Sequence, residues 1–377
     1  MSPTATRDAA TAPRPGRRLR IAVVVPVLGE RDAVATDARG MVAALSRQGH
    51  DVALFASGPV GGDARPLSGL DAISSDPAAV LIYHFGFGWP PGVDILRAAR
   101  CRRIVRYHNV TPPEFFSRWS EEYERACRAG REEIRLIAEL GCDLVLGDSR
   151  FNVDDFLAAG VPPERTAVLP PFNRLDALLG TPADLALLER WRDGAANWLA
   201  VGRIAPNKGH LELLDAFALF LDRCTAEARL LLVGSVDARL ARYAAALRER
   251  IDALAIGPRV EWLQDAGEGA LKAAYLSADA LVSLSGHEGF CVPLVEAMAL
   301  GVPVVARDAG AQGATLGDAG LAWETPEPAL VAASVQRLRE DAGLRSLLRQ
   351  RGEARVARCY APEVLEAGLA RLVGAFA

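Results

Sequence analysis

Lysine is nearly missing from this chain: of 43 basic residues only Lys208 and Lys272 are lysines, the rest arginines. A GC-rich coding sequence accounts for most of that bias. A compact ammonium kept among so many guanidiniums still marks its position, because the two cations bind differently. Cysteine is also scarce. The six (Cys101, Cys127, Cys142, Cys224, Cys291 and Cys359) include no C-x-x-C pair, which argues against a disulfide framework and against a cysteine zinc site. The five histidines form no H-E-x-x-H pattern, and no G-x-G-x-x-G follows the first apolar run, which disfavours a nicotinamide-dependent dehydrogenase. No stretch nears the ~18 consecutive apolar residues that span a bilayer. A net charge of -4 lacks the basic excess of a dedicated nucleic-acid binder. With 50% hydrophobic and 24% charged residues, the chain is not wholly disordered. These absences describe a reduced, cytosolic protein without a structural metal and without a nucleic-acid partner.

What is present is an alternation. The 377 residues are enough for two domains at roughly 150 residues each. Residues 1–18, rich in Ala, Thr, Pro and Arg, form a tail. Residues 17–25 superficially resemble the basic and apolar parts of a signal peptide, but Pro26 cuts the run short and a buried first strand is the better reading. Short apolar, β-branched runs at 52–55, 80–83, 103–107 and 143–147 then alternate with helical stretches at 35–48, 95–99 and 121–140. The pattern breaks near 170–196. A second series begins at 198–201 and continues with runs at 229–233, 260–263, 280–284 and 303–306. Strand–helix–strand order implies parallel sheets covered on both faces. The chain therefore divides into a domain over 19–172, a linker over 173–196, a domain over 197–360 and a closing helix over 361–377, packing back on the first domain. Ligands of such sheets bind beyond the carboxyl ends of the strands, so the informative loops are those that leave strands.

Two of these loops carry chemistry. The first, Gly202-Arg203-Ile204-Ala205-Pro206-Asn207-Lys208-Gly209, places two cations five residues apart ahead of a helix whose free amides favour anions. A diphosphate is its natural guest; the alternative is a surface turn with two solvated charges. The second runs Ser285-Gly286-His287-Glu288-Gly289-Phe290-Cys291-Val292-Pro293 and continues to Glu296. Its glycines free backbone amides at 289–291, and its two carboxylates can accept from sugar and ribose hydroxyls. Glu296 read alone is equally a carboxylate complementing a helix start.

Glu288 and Glu296, with seven residues between them in E-G-F-C-V-P-L-V-E, together with G-R-x4-K-G upstream and Gly317-Asp318-Ala319-Gly320-Leu321 downstream, resemble the retaining glycosyltransferases of family 4 (glycosyl transferases group 1), which have the GT-B fold. The resemblance is specific across 198–323 and weaker in the first half. It implies an α/β fold of two doubly wound, Rossmann-like domains facing a central cleft. It also implies transfer of a sugar from a GDP- or UDP-sugar to a saccharide or lipid-linked saccharide, in bacterial surface-polysaccharide or glycolipid assembly, at the inner face of the cytoplasmic membrane. Arg203 and Lys208 are then expected on the donor diphosphate. Glu288, with Gly289, Phe290, Cys291 and Val292, is expected on the donor sugar, and Glu296 on the ribose. Gly29 and Gly202 are expected to line the phosphates, and His108, after a strand of the first domain, to sit near the reacting carbon. Arg203, Lys208, Glu288 and His108 form the expected catalytic set.

No cofactor is implied, and the lack of any Asp-x-Asp agrees with phosphate held by cations and helix amides rather than by a metal. Three departures stand out. Cys291 replaces the glycine of many relatives, the loop 26–31 lacks paired glycines, and 308–313 differs from the usual acidic turn. The stretch Glu114-Phe115-Phe116-Ser117-Arg118-Trp119 is expected as helix core, with an acceptor or membrane contact as the alternative. A nucleotide-sugar 2-epimerase of the same architecture and a non-catalytic nucleotide-sugar-binding partner subunit are the rival readings.

Overall fold

The run Arg20–Val25 is apolar at five consecutive positions, and all five are buried. That continuity, rather than alternation, is what a strand covered on both faces requires. The computed structural model describes residues 17–29, 32–58 and 63–377. All of the expected tail except Arg17 and Arg18 lies outside the described residues, as do Glu30 and Arg31 of the first loop.

The first sheet contains β1 (Arg20–Val25), β2 (Asp51–Ala56), β3 (Ala64–Pro66), β4 (Val80–Phe85), β5 (Arg102–Tyr107), β6 (Leu144–Gly147) and β7 (Thr166–Val168), all parallel, in the order β3-β2-β1-β4-β5-β6-β7. The second contains β8 (Ala196–Val201), β9 (Ala228–Val233), β10 (Val260–Leu263), β11 (Ala280–Ser283), β12 (Val304–Arg307) and β13 (Leu321–Trp323), also parallel, in the order β10-β9-β8-β11-β12-β13. Each series starts in the middle of its sheet, builds outward, and returns to build the other way. The strand order reverses between β1 and β4 and again between β8 and β11. These reversal points leave a crevice at the strands' carboxyl ends. The fold is the expected pair of doubly wound domains facing a cleft.

The short edge strands β3, β7 and β13 were not expected from the sequence. Each has three residues and none is fully buried, so no apolar run announces them. The segment expected as a linker contains two helices, Leu175–Gly180 and Leu185–Trp191. Leu175, Leu178 and the fully buried Trp191 share an apolar cluster with Leu199, Leu231 and Leu281, so these helices form part of the second domain's core. The last helix, Pro362–Gly374, lies against the first domain. Its Leu365, Leu369 and Val373 pack with Ile21, Val23, Met41 and Leu45, and Gln48 Nε2 donates to the carbonyl of Glu366 (3.2 Å).

One charged side chain anchors the cleft side of the first domain. Arg106, on β5, has no exposure at all. Its Nε donates to Asp37 Oδ2 (2.8 Å) and its Nη1 to the carbonyl of Leu169 (2.7 Å), while Nη2 pairs with Asp148 Oδ1 (2.8 Å). Asp37 lies on the buried stripe of the helix Ala33–Arg47, among Ala35, Ala38, Met41 and Ala44. Burial alone would raise its carboxyl, but Arg106, His108 and His84 outweigh that and hold it below 3.8. The pair is therefore fully stabilising above that pH, and the contribution is lost as pH falls beneath it. Asp37→Ala leaves a buried guanidinium short of a partner. It is expected to cost about 3–5 kcal/mol in urea unfolding; a loss under about 1 kcal/mol would show that Asp148 alone satisfies Arg106.

Candidate active site

Both motif loops leave the strands that flank the second sheet's reversal point. The loop after β8 carries Gly202, Arg203 and Lys208, and the loop after β11 carries Glu288 and Gly289. They are joined directly, since Gly286 N donates to the carbonyl of Asn207 (2.8 Å) and Asn207 Nδ2 to the carbonyl of His287 (3.1 Å). Gly209 makes this contact sterically possible. It has φ +69, and an added Cβ would come within 2.2 Å of the carbonyl oxygen of Leu284. On the other side, Gln312 Nε2 donates to the carbonyl of Ser285 (2.8 Å), Ser283 Oγ donates to Gln312 Oε1 (2.7 Å), and Ala311 N donates to the carbonyl of Glu288 (2.9 Å). The departure from the usual acidic turn at 308–313 is thus structural: Gln312 props the carboxylate loop.

Between these supports the side chains meet. Lys208 Nζ donates to Glu288 Oε1 at 2.5 Å, and Ser285 Oγ donates to the same oxygen at 2.8 Å. Glu288 is 8% exposed, a setting in which charge-assisted hydrogen bonds are strong. Arg203 is exposed and reaches across the cleft, its Nη1 donating to Tyr123 Oη (2.9 Å). Glu296, 2% exposed, is held on both oxygens, by Arg174 Nε (3.2 Å) and Tyr275 Oη (2.7 Å). Arg174 donates through Nη1 to Glu268 as well (2.8 Å). Sequence reasoning missed Arg174, which lies outside every motif in the segment read as linker.

The helix after this loop starts at Val292, and Cys291 is its N-cap with φ +74 and ψ +74. That left-handed backbone explains why a glycine suits this position. Burial, then the neighbouring Glu288, pushes the Cys291 thiol up to about 12, so it is not an ionised nucleophile at neutral pH. Phe290 is buried, and its carbonyl accepts from Thr315 Oγ1 (2.7 Å).

The first domain contributes the opposite wall. His108 follows β5. Its Nδ1 lies 3.0 Å from Asp148 Oδ2, and its Nε2 lies 2.9 Å from His84 Nδ1. Both ring nitrogens are therefore occupied within the protein. Asp37, His84 and His108 converge closely enough to suggest a metal site. However, the two histidine nitrogens are hydrogen-bonded to each other, and Asp37 already receives Arg106 and the amide of Phe172 (2.7 Å). Nitrogen ligands of a tetrahedral zinc stand about 3.3 Å apart at bond lengths near 2.05 Å. This is a hydrogen-bonded network. The adjacent Asn109 has φ +74; its Oδ1 accepts from His287 Nε2 (2.6 Å) and its Nδ2 donates to Asn152 Oδ1 (3.2 Å). Gly289 packs so closely here that a Cβ would meet Asn109 Cβ at 2.7 Å and the carbonyl of His108 at 3.0 Å.

The expected set thus divides. Lys208 and Glu288 are in contact, and Gly289 abuts His108. Gly202 lies beside the stem of Lys208, its φ +143. Among the described residues Gly29 receives only Arg39, at 3.4 Å on its carbonyl, and is brought to none of the others by a hydrogen bond. The stretch 114–119 divides: Phe116 is buried in the first domain's core, as expected, whereas Phe115 and Trp119 face the second domain. Phe115 lies 6.2 Å from His287 and Trp119 lies 5.1 Å from Tyr243, so these aromatics seal the two domains together.

Two tests follow from this geometry. Burial, then Lys208, lowers His210 to about 3, and burial, then His108, holds His84 well below 6.5. Neutral buried histidines stabilise fully above pH 6.5, and that contribution is lost as pH falls below it, by at most about 1.4 kcal/mol per unit for each. Stepped-pH urea titrations should show this decline, with a shallower slope for His210→Asn. Cys291→Val forces a β-branched residue into left-handed backbone and should cost about 2 kcal/mol, read as a lowered thermal midpoint.

Comparison with known proteins agrees with this architecture. Residues 189–355 match the family model of the glycosyl transferases group 1. A D-inositol 3-phosphate glycosyltransferase from Geodermatophilus obscurus is 31% identical over 261 residues, covering 67% of this chain and 52% of the relative. A GDP-mannose-dependent alpha-mannosyltransferase from Mycolicibacterium smegmatis is 38% identical over 111 residues, covering 29% of this chain and 25% of the relative. The chain thus spans about half or less of the length of these curated relatives. The Anabaena HepE crystal structure with UDP and glucose superposes with a TM-score of 0.72 at 18% identity, covering 95% of this chain and all of that one; at that identity the likeness shows the fold, which is GT-B. With the family match over residues 189–355 and the GT-B arrangement over nearly the whole length, this chain carries a glycosyl transferases group 1 domain within a GT-B fold.

Proposed function

We propose that this protein transfers a glycosyl group from a nucleoside-diphosphate sugar, GDP- or UDP-linked, to a hydroxyl of a saccharide or lipid-linked saccharide, with retention at the anomeric carbon and without a metal. The observation that carries this reading is the contact of Lys208 with Glu288 at the second sheet's reversal point, beside the start of the helix Val292–Ala299 and on the loop that also carries Arg203. Cations and helix amides there suit a departing diphosphate. Glu288 has a second oxygen, Oε2, with no hydrogen bond among the described residues, and it suits a sugar hydroxyl. The relatives support a nucleoside-diphosphate donor of either base: one is named for GDP-mannose, and HepE was crystallised with UDP.

In the proposed reaction the bond from the anomeric carbon to the β-phosphate oxygen breaks as the acceptor oxygen bonds to that carbon from the same face. The acceptor's proton passes to the departing phosphate oxygen. Arg203 and Lys208 stabilise the charge that develops on the phosphate. His108, with both ring nitrogens occupied, acts through the wall it forms against Gly289 rather than through a free nitrogen. Glu296, held by Arg174 and Tyr275, takes the ribose by exchanging one of those partners. A lipid-linked acceptor at the cytoplasmic membrane face belongs to the same proposal and is supported only by the family resemblance. Among the described residues no helix is long and apolar enough to cross a membrane.

Thermal unfolding against UDP, GDP and their sugars tests the donor site. Ligand at 100-fold over Kd adds about 2.7 kcal/mol, a shift of several degrees. Wild type should respond to one nucleotide family, and Lys208→Ala should lose both that response and transfer by orders of magnitude while remaining folded. Undiminished turnover in Lys208→Ala would sink the diphosphate assignment.

A further inference from the structure

Arg203 belongs to the second domain, yet its guanidinium is held by the first. The helix Glu121–Glu139 is capped by Ser120, whose Oγ accepts from the amide of Tyr123 (3.3 Å), so Tyr123 stands in a fixed first turn. Its ring stacks on Phe116 at 5.0 Å and 22°. Its hydroxyl donates to Asp237 Oδ2 (2.7 Å), leaving two lone pairs, and these receive Arg203 Nη1 (2.9 Å) and Arg239 Nη2 (3.3 Å). Both guanidiniums also lie over the ring, at 5.4 and 4.7 Å from its centroid. Arg239 is neutralised by Asp237 and Glu122. Arg203 has no carboxylate partner among the described residues. A guanidinium has five N–H donors, so four remain for an anion.

We propose that Tyr123 is a positioning residue for Arg203: by fixing one edge of the guanidinium across the domain boundary, it presents the remaining donors to the donor diphosphate and completes the phosphate site only when the domains are closed. Arginine recognises phosphate through a planar fork whose benefit depends on orientation. An exposed arginine left free must give up its rotamer freedom on binding, and Tyr123 removes that cost in advance. The proposal rests on the reading of Arg203 as a diphosphate ligand.

The test is a double-mutant cycle on the full chain, with UDP and GDP as calorimetric probes. Arg203→Ala should weaken the preferred nucleotide by at least about tenfold. Tyr123→Phe keeps the ring and removes the hydroxyl; it should weaken that nucleotide by about tenfold, with the ligand-free thermal midpoint unchanged. Tyr123→Phe combined with Arg203→Ala should bind no more weakly than Arg203→Ala alone, which a general loosening of the domain boundary would not produce. Wild-type affinity in Tyr123→Phe beside weakened Arg203→Ala overturns the positioning role and leaves the diphosphate reading intact, as does a fully additive double variant. Wild-type affinity in Arg203→Ala overturns both. Should Tyr123→Phe fail to fold, Asp237→Asn, which weakens the grip on the hydroxyl, is read by the same criteria.

Discussion

The burial of Arg106 is the constraint from which the first domain's cleft wall follows. Removing a guanidinium from water costs several kcal/mol unless its donors are met. Here they are met by three separated parts of the chain: Asp37 on the helix that follows β1, Asp148 in the loop after β6, and the carbonyl of Leu169 just past β7; Asp37 in turn accepts from the amide of Phe172. Phe172 lies where the chain leaves the first domain. The same carboxylate that neutralises Arg106 thus fixes the exit of the crossover, while Asp148, its other partner, orients His108. Arg174 is two residues beyond Phe172, and it grips Glu296 in the second domain. Two sets of charged contacts, joined by the backbone of residues 172–174, therefore run from the first sheet to the helix that begins at Val292.

That chain of contacts separates what was legible in the sequence from what was not. The motif loops were legible because their chemistry is local. Two cations five residues apart before a helix, and two carboxylates with seven residues between them, carry their meaning in spacing, and parallel-sheet topology sends strand-to-helix loops to one cleft. The sheets were legible too, since strands buried on both faces are continuous apolar runs. The edge strands β3, β7 and β13 were not, because half-exposed three-residue strands have no such run.

The partners of the motif residues were illegible for a different reason. Arg174, Tyr123, Asn109 and Gln312 act through contacts with residues 27 to 178 positions away, and no local pattern encodes such contacts. Asp37 did leave a trace: a carboxylate on the apolar stripe of an amphipathic helix requires a buried partner. The aromatic stretch 114–119 shows the same limit from the other side. Its apolar residues signalled burial correctly, but whether they were buried within a helix or between two domains depended on tertiary structure.

The internal pairing of the cleft bears on how a donor would be recognised under the proposed reaction. Lys208 is already neutralised by Glu288, so a phosphate arriving at Lys208 replaces one anion with another, and the net gain is far smaller than the gross attraction. The exchange leaves Glu288 8% exposed without its cation, a costly state for a carboxylate unless hydroxyls donate to it. A nucleoside diphosphate alone imposes that cost. A nucleoside-diphosphate sugar offsets it, because its hydroxyls occupy the carboxylate that its phosphate has released. Under the proposed reaction, phosphate and sugar recognition are coupled through this ion pair, which favours the intact donor over its spent nucleotide.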